Sequence, residues 1–252
     1  MDFSGKRILV TGSSRGIGRA TAKVFLDAGA RVAINGRSRQ ATDSGIEMLG
    51  PGTAVVAAPG DVSEVAGCEA VVNRAIYLLG GLDVLVNSAG VAFFETIENS
   101  DETIWNSTIN TNLKGTYFCI RAALPALRAD YGNVVNVASD AGLQGETGLT
   151  AYCASKGGVV NLTRALAMEL APAVRVNCVC PGYVDTDMVR RDGIDKTEDP
   201  AAEERRLMNL APLKRFAQPE EIGQAIAYLA SAQARNVTGA TLQIDGGSTA
   251  GQ

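Results

Sequence analysis

Histidine is absent from this 252-residue chain. The side chain that most often takes and gives protons near neutral pH is therefore unavailable, and acid–base chemistry must fall to other groups. The five cysteines, at positions 68, 119, 153, 178 and 180, lack metal-ligand spacing. Their odd number and apolar surroundings point to reduced thiols in a cytoplasmic compartment. Cys153 reads as buried filler rather than a reactive thiol beside Tyr152, because sequence neighbours point apart on a helix. No apolar run reaches the length of a membrane span, and the opening Met1-Asp2-Phe3-Ser4-Gly5-Lys6-Arg7 lacks a signal-peptide plan. A net charge of -4 without a long basic run argues against nucleic acid or an acidic membrane as partner. Low-complexity linkers and internal repeats are missing too. A hydrophobic fraction of 46% with 20% charged residues describes a soluble globular chain, long enough to bury one sizeable core.

What is present alternates. Short β-rich runs fall at Arg7–Val10, Arg31–Asn35, Ala54–Ala58, Val84–Asn87, Asn133–Val137, Arg175–Val179 and Thr241–Ile244. Segments of helical period lie between them, near 16–28, 39–49, 63–79, 101–128, 152–170 and 219–231. Runs such as Val84-Leu85-Val86 do not alternate with polar residues, as expected of a parallel sheet covered on both faces. Alternation of this kind predicts right-handed βαβ crossovers and one α/β domain over 1–252, a doubly wound parallel sheet of seven strands. Segment 186–212 breaks the rhythm: it is polar and charged, with Gly193 and Pro200 inside it. Its place after a strand's C-terminal end makes it a candidate substrate lid, with a disordered surface loop as the alternative.

Thr11-Gly12-Ser13-Ser14-Arg15-Gly16-Ile17-Gly18 follows the first strand and opens a helix. Glycines there let the backbone approach a pyrophosphate, whose charge meets the N–H groups of the helix start. The same residues spell G-x-S-x-G, which raises a serine hydrolase with Ser14 as nucleophile. That reading needs a histidine base, and the chain has none.

Tyr152 and Lys156 stand four residues apart, on one helix face a turn apart. Bringing a phenol from near 10 to neutrality takes about 4 kcal/mol. An ammonium about 4 Å away supplies about that much at an effective dielectric near 20. Ser139 lies thirteen residues earlier, at the end of a strand, where it can donate to a substrate oxygen.

The ordered set is similar to the short-chain dehydrogenase/reductase family across essentially the whole chain. It comprises the turn 12–18, Asp61-Val62, Asn87-Ser88-Ala89-Gly90, Asn112, Ser139, Tyr152 with Lys156, Pro181-Gly182 and Asp245-Gly246-Gly247. One departure is Ser88, where the family commonly has a second asparagine. The resemblance implies a catalytic tetrad of Asn112, Ser139, Tyr152 and Lys156. Tyr152 would be general acid or base, Lys156 would also bind the cofactor ribose, and Asn112 would hold a water linking Lys156 to solvent. It further implies a nicotinamide dinucleotide held by Gly12, Ser14, Arg15, Gly16, Ile17, Gly18, Arg37, Asp61, Val62, Asn87, Ala89, Gly90, Pro181, Gly182, Val184 and Thr186, together with Tyr152 and Lys156. Asp61 would accept from the adenine amino group.

After the second strand, where an acidic residue often binds a ribose 2′-hydroxyl, stand Gly36 and Arg37. Arg37 can grip a 2′-phosphate, joined by Arg15 and with Arg39 as a third candidate, so NADP(H) is expected over NAD(H). The expected activity is hydride transfer between nicotinamide and a carbonyl or alcohol carbon of a 3-oxoacyl thioester, sugar or small ketone. A non-catalytic NADP-binding regulatory or scaffold protein is the rival reading. By resemblance the chain is expected to form a homotetramer through helices 101–128 and 152–170. The mixed charges of 186–212, including Arg190, Arg191, Arg205 and Arg206, read as a solvated face.

Overall fold

Seven short strands form one parallel sheet in the computed structural model, which describes residues 1–50 and 54–251; residues 51–53 and 252, part of the expected domain, lie outside the described residues. The strands are β1 (Arg7–Thr11), β2 (Arg31–Ile34), β3 (Val55–Ala57), β4 (Val84–Asn87), β5 (Asn133–Val137), β6 (Arg175–Pro181) and β7 (Thr241–Ile244). Their order is β3-β2-β1-β4-β5-β6-β7, and every pairing is parallel. The order reverses between β1 and β4, which meet with Thr11 opposite Asn87. A crevice opens at such a switch point, beyond the strands' C-terminal ends.

Alternate residues of each strand face opposite helix layers. Ile8, Val10, Val32, Ile34, Val84 and Val86 pack under α1 (Gly16–Asp27), α2 (Arg39–Leu49) and α8 (Pro219–Ala230). Leu9, Ala33, Leu85, Val134 and Val176 pack under α3 (Val65–Leu79), α5 (Gly115–Ala129) and α6 (Thr150–Leu170). Both faces are thus dry, which explains the unbroken apolar runs in the sequence.

The helix expected over 101–128 is interrupted. It consists of α4 (Glu102–Ile109), a π-helical turn over Asn110–Lys114, and α5. A π turn holds one extra residue per hydrogen-bonded ring, so it rotates the side chains it carries out of the helical register. Asn112 lies inside it. Segment 186–212 is ordered rather than a structureless loop: a short turn at Ile194–Lys196 leads to α7 (Pro200–Leu210). Asp199 caps α7 by accepting from Ala202 N at 2.9 Å. Ile194, Leu207 and Phe216 form a small core of their own beneath it.

Candidate active site

At the switch point the turn after β1 is braced from three sides. Asn35, at the end of β2, accepts from Gly12 N at 3.1 Å and donates to Ala58 O and Gly60 O at 2.9 and 3.0 Å. Ser13 Oγ donates to Val10 O at 2.6 Å and accepts from Asn35 N at 2.9 Å. Thr11 Oγ1 accepts from Ser88 N and Ala89 N at 3.1 and 3.2 Å, which fixes the segment where the second asparagine is replaced. Gly12 has φ +61°, and a Cβ there would lie 2.5 Å from Ala89 Cα, so only glycine fits. A Cβ on Gly18 would lie 2.5 Å from Gly12 O. The start of α1 carries no side-chain cap and no acidic residue, which leaves its first N–H groups open to an anion. The bare turn and the uncapped helix fit a dinucleotide pyrophosphate.

A cleft of about 1050 Å³ runs from this turn across the sheet ends. Its walls include Gly12, Ser14, Arg15, Gly16, Ile17, Gly18, Arg37, Asp61, Val62, Ala89, Gly90, Pro181, Gly182, Val184 and Thr186, and also Ser139, Tyr152 and Lys156. Two expected site residues do not reach it. Asn87 is buried and donates to Asn136 Oδ1 at 2.9 Å; Asn136 in turn donates to Thr163 Oγ1. Asn112 is buried as well, and its amide is fully engaged. It donates to Val91 O and Ser155 Oγ at 2.9 and 3.0 Å, and accepts from Val91 N at 2.9 Å. Both asparagines support the lining from one layer behind. Among the three arginines, Arg37 lies exposed on the cleft and Arg15 stands 3.6 Å from Asp187. Arg39 turns aside to pair with Asp43 at 2.7 Å and is not on the cleft wall.

Tyr152 and Lys156 face the same cleft. Lys156 Nζ donates to Val137 O at 2.8 Å and lies 5.6 Å from the centre of the Tyr152 ring. Burial pulls this ammonium down to about 8. The same burial pushes the Tyr152 phenol well above its ordinary value, and the carboxylates of Asp140 and Glu146 push it the same way. The leading influence in the other direction is the Ser139 hydroxyl.

The cleft is also lined by groups that the sequence did not single out as site residues: Phe93, Phe94, Asp140, Glu146, Tyr183 and Met188. Only Asp140, next to Ser139, and Tyr183, next to Pro181-Gly182, had a neighbouring motif to signal them. Tyr183 Oη donates to Glu146 Oε1. The arginines of 186–212 stay outside. Arg190 pairs with Asp185, Arg191 with Asp192 and Arg206 with Glu203, in keeping with a mixed-charge face.

The sequence over residues 12–249 matches the family model described as enoyl-(acyl carrier protein) reductase. The chain is 39% identical over 246 residues to 2-(S)-hydroxypropyl-CoM dehydrogenase 3 of Xanthobacter autotrophicus, covering 96% of each protein. It is 36% identical to the 3-oxoacyl-[acyl-carrier-protein] reductase of Staphylococcus aureus, covering 96% of this chain and 97% of that one. A crystal structure from Sinorhizobium meliloti 1021, described as that of a short-chain alcohol dehydrogenase, superposes with a TM-score of 0.91 at 37% identity. That match covers 99% of this chain and 98% of the other.

Proposed function

Since the chain belongs to the short-chain dehydrogenase/reductase family, we propose that it is an NADP(H)-dependent oxidoreductase interconverting a carbonyl and an alcohol. One observation carries this reading: Ser139, Tyr152 and Lys156 open onto the same cleft as the bare glycine turn. A dinucleotide laid with its pyrophosphate on that turn has the cleft's length in which to extend toward the phenol. Bound there, the nicotinamide supplies or accepts hydride. The chain's own residues do the rest. Ser139 and Tyr152 hold the substrate oxygen, and Tyr152 exchanges the proton with it. Lys156, fixed by Val137 O, presents its remaining hydrogens toward the ribose. Asn112 positions the loop at Gly90 and Val91, which would line the cofactor's place in the cleft.

Arg37, with no carboxylate beside it at the end of β2, supports a 2′-phosphate and hence NADPH. Substrates drawn from 3-oxoacyl thioesters, sugars and small ketones fit the relatives' range. Segment 186–212 serves as the substrate-side lid of a single domain. A homotetramer working in the cytoplasm is the proposed assembly and place; among the described residues no helix is long and apolar enough to cross a membrane.

The test is a coupled screen of 3-oxoacyl thioesters, sugars, steroids and small ketones with NADPH and NADH in parallel. NADPH consumption with at least one class is expected, together with a loss of turnover of at least a hundredfold in Tyr152→Phe at unchanged NADPH affinity. Near-normal turnover in that variant would remove Tyr152 from the chemistry.

A further inference from the structure

Glu146 stands in the cleft wall with one carboxylate oxygen uncommitted. Tyr183 Oη donates to its Oε1, and the Tyr183 ring packs against Phe216 at 6.1 Å between centres. Oε2 has no partner among the described residues, and the side chain lines the cleft. Glu146 belongs to the reacting end. Its charge acts on both the Tyr152 phenol and the Asp140 carboxyl, and Asp140 Oδ1 accepts from Ser139 Oγ at 3.0 Å. Asp140 cannot serve a substrate in the same way. It is 7% exposed, and Ser139, Ala141 and Ser248 occupy its oxygens.

The surroundings of Glu146 restrict what can meet it. The loop that carries Phe93 and Phe94 is tied to the Glu146 loop by Glu95 N, which donates to Gly148 O at 2.9 Å. The Phe94 ring also reaches segment 186–212, since a Cβ on Gly193 would lie 3.5 Å from Phe94 Cε2. Leu149, Met188 and Val189 add further apolar surface to the cleft. Among the described residues the cations on the cleft wall are Arg15, Arg37 and Lys156. The two arginines stand at the glycine turn and after β2, so an anionic group beside the reacting carbon would face a carboxylate without a guanidinium to hold it. A carboxylate only accepts, so its partner must bring an O–H or N–H. Arg206 of α7 is acted on by Glu146 as well as by its own partner Glu203. With that positive charge nearby, a neutral donor is enough.

We propose that Glu146, held by Tyr183, determines specificity: its free oxygen accepts from a hydroxyl one or two carbons from the reacting carbonyl, so the substrate is an uncharged hydroxy ketone and the product a diol. The inference rests on the oxidoreductase reading above. Hydroxy ketone, reduced cofactor and a proton give diol and oxidised cofactor. The hydride goes to the carbonyl carbon and the proton to its oxygen, while the second hydroxyl stays intact. Ser139 and Tyr152 hold one oxygen and Glu146 the other, and apolar walls take the rest of the molecule. The same carboxylate repels a substrate that carries an anion in place of the hydroxyl.

The test compares kcat/KM, with NADPH or NADH, for matched four-carbon ketones: 2-butanone, 1-hydroxy-2-butanone, 4-hydroxy-2-butanone, 1-amino-2-butanone and 2-oxobutanoate. At least one hydroxy ketone should exceed 2-butanone by about ten- to a hundredfold, the worth of a hydrogen bond to a carboxylate. The anionic 2-oxobutanoate should fall at least tenfold below 2-butanone. Glu146→Leu should collapse the hydroxyl preference to about threefold or less and raise 2-oxobutanoate relative to 2-butanone. The ratio is the readout, because general damage to the fold lowers all five substrates alike. Tyr183→Phe, a milder change that releases the carboxylate, should cut the preference at least threefold. A preference that survives Glu146→Leu, equal use of 2-butanone and both hydroxy ketones, or a greater preference for the amino ketone overturns the proposal while the oxidoreductase reading stands. Turnover of other carbonyls with none of this series does the same. Failure of the wild-type protein to turn over any carbonyl or alcohol removes that reading and the specificity with it.

Discussion

Asn112 and Val91 grip each other at both ends: Oδ1 accepts from Val91 N and Nδ2 donates to Val91 O, each at 2.9 Å. A side-chain amide thereby does for a loop what a neighbouring strand does for a sheet. The π turn makes it possible by rotating Asn112 toward the loop. The clamp also brings Asn112 Oδ1 close to Gly90, where a Cβ would lie 3.4 Å from it and 3.5 Å from Lys156 Nζ.

Removing the clamp should cost both stability and rate. Asn112→Ala leaves the two Val91 backbone groups short of partners, at about 1–3 kcal/mol for each one that water does not reach, while the Ser155 hydroxyl keeps its bond to Tyr152 O. A lower denaturant midpoint and a fall in kcat larger than any rise in KM are expected. An unchanged midpoint would show that the loop is held by something else.

Gly12→Ala tests the phosphate cradle. Its Cβ would meet Ala89 backbone at 2.5 Å in a conformation with φ +61°. Strain and displacement together should cost about 2–4 kcal/mol. Calorimetry should show lost NADPH binding along with the lowered melting temperature. Retained micromolar binding would place the pyrophosphate elsewhere.

Cofactor choice turns on Arg37. Replacing it by aspartate removes a charge-assisted contact worth about 1.5–3 kcal/mol, roughly 10–100-fold in affinity, and adds a repulsion for a 2′-phosphate. The KM for NADPH should rise at least tenfold while that for NADH falls. Equal response of both cofactors to Arg37→Asp would make this arginine a bystander.

Far from the site, Asp83 ties β1 to β4. It accepts from Arg7 Nε at 2.7 Å, from Arg7 N at 2.9 Å and from Lys6 Nζ at 3.2 Å. Burial pushes this carboxyl up, but the bonds from Arg7 and Lys6 prevail and hold it below the usual carboxylate value. A carboxyl lowered by folding stabilises fully above its unfolded value near 4, and that contribution disappears as pH falls through the folded value. Asp83→Asn should therefore cost about 2 kcal/mol at pH 7, less than a fully dry pair because Arg7 is partly exposed. The gap between the two proteins should close below about pH 4 in urea melts; a gap independent of pH would assign the loss to packing.

The strands and most helices were legible because burial on both faces leaves apolar runs that local pattern reading detects. That Ser139, Tyr152, Lys156 and the glycine turn share one cleft was legible for another reason: Ser139 and the turn follow strands, and Tyr152 and Lys156 lie one helical turn apart, which are local patterns. The break at Asn110–Lys114 was not, because a π turn is chosen by what its side chains bind across space, here Val91 and Ser155. Glu146 escaped for the same reason, as it belongs to no motif and its bond with Tyr183 spans 37 residues.

By itself the sequence determined the doubly wound sheet, the place of the dinucleotide turn and the residue types available for proton transfer, since period, glycine placement and composition act locally. The tertiary structure alone decided that Lys156 is bound to Val137 O, that burial pushes the Tyr152 phenol upward and that a buried carboxylate lies behind Ser139. Protonation depends on desolvation and on partners distant in the chain, and neither exists until the chain has folded.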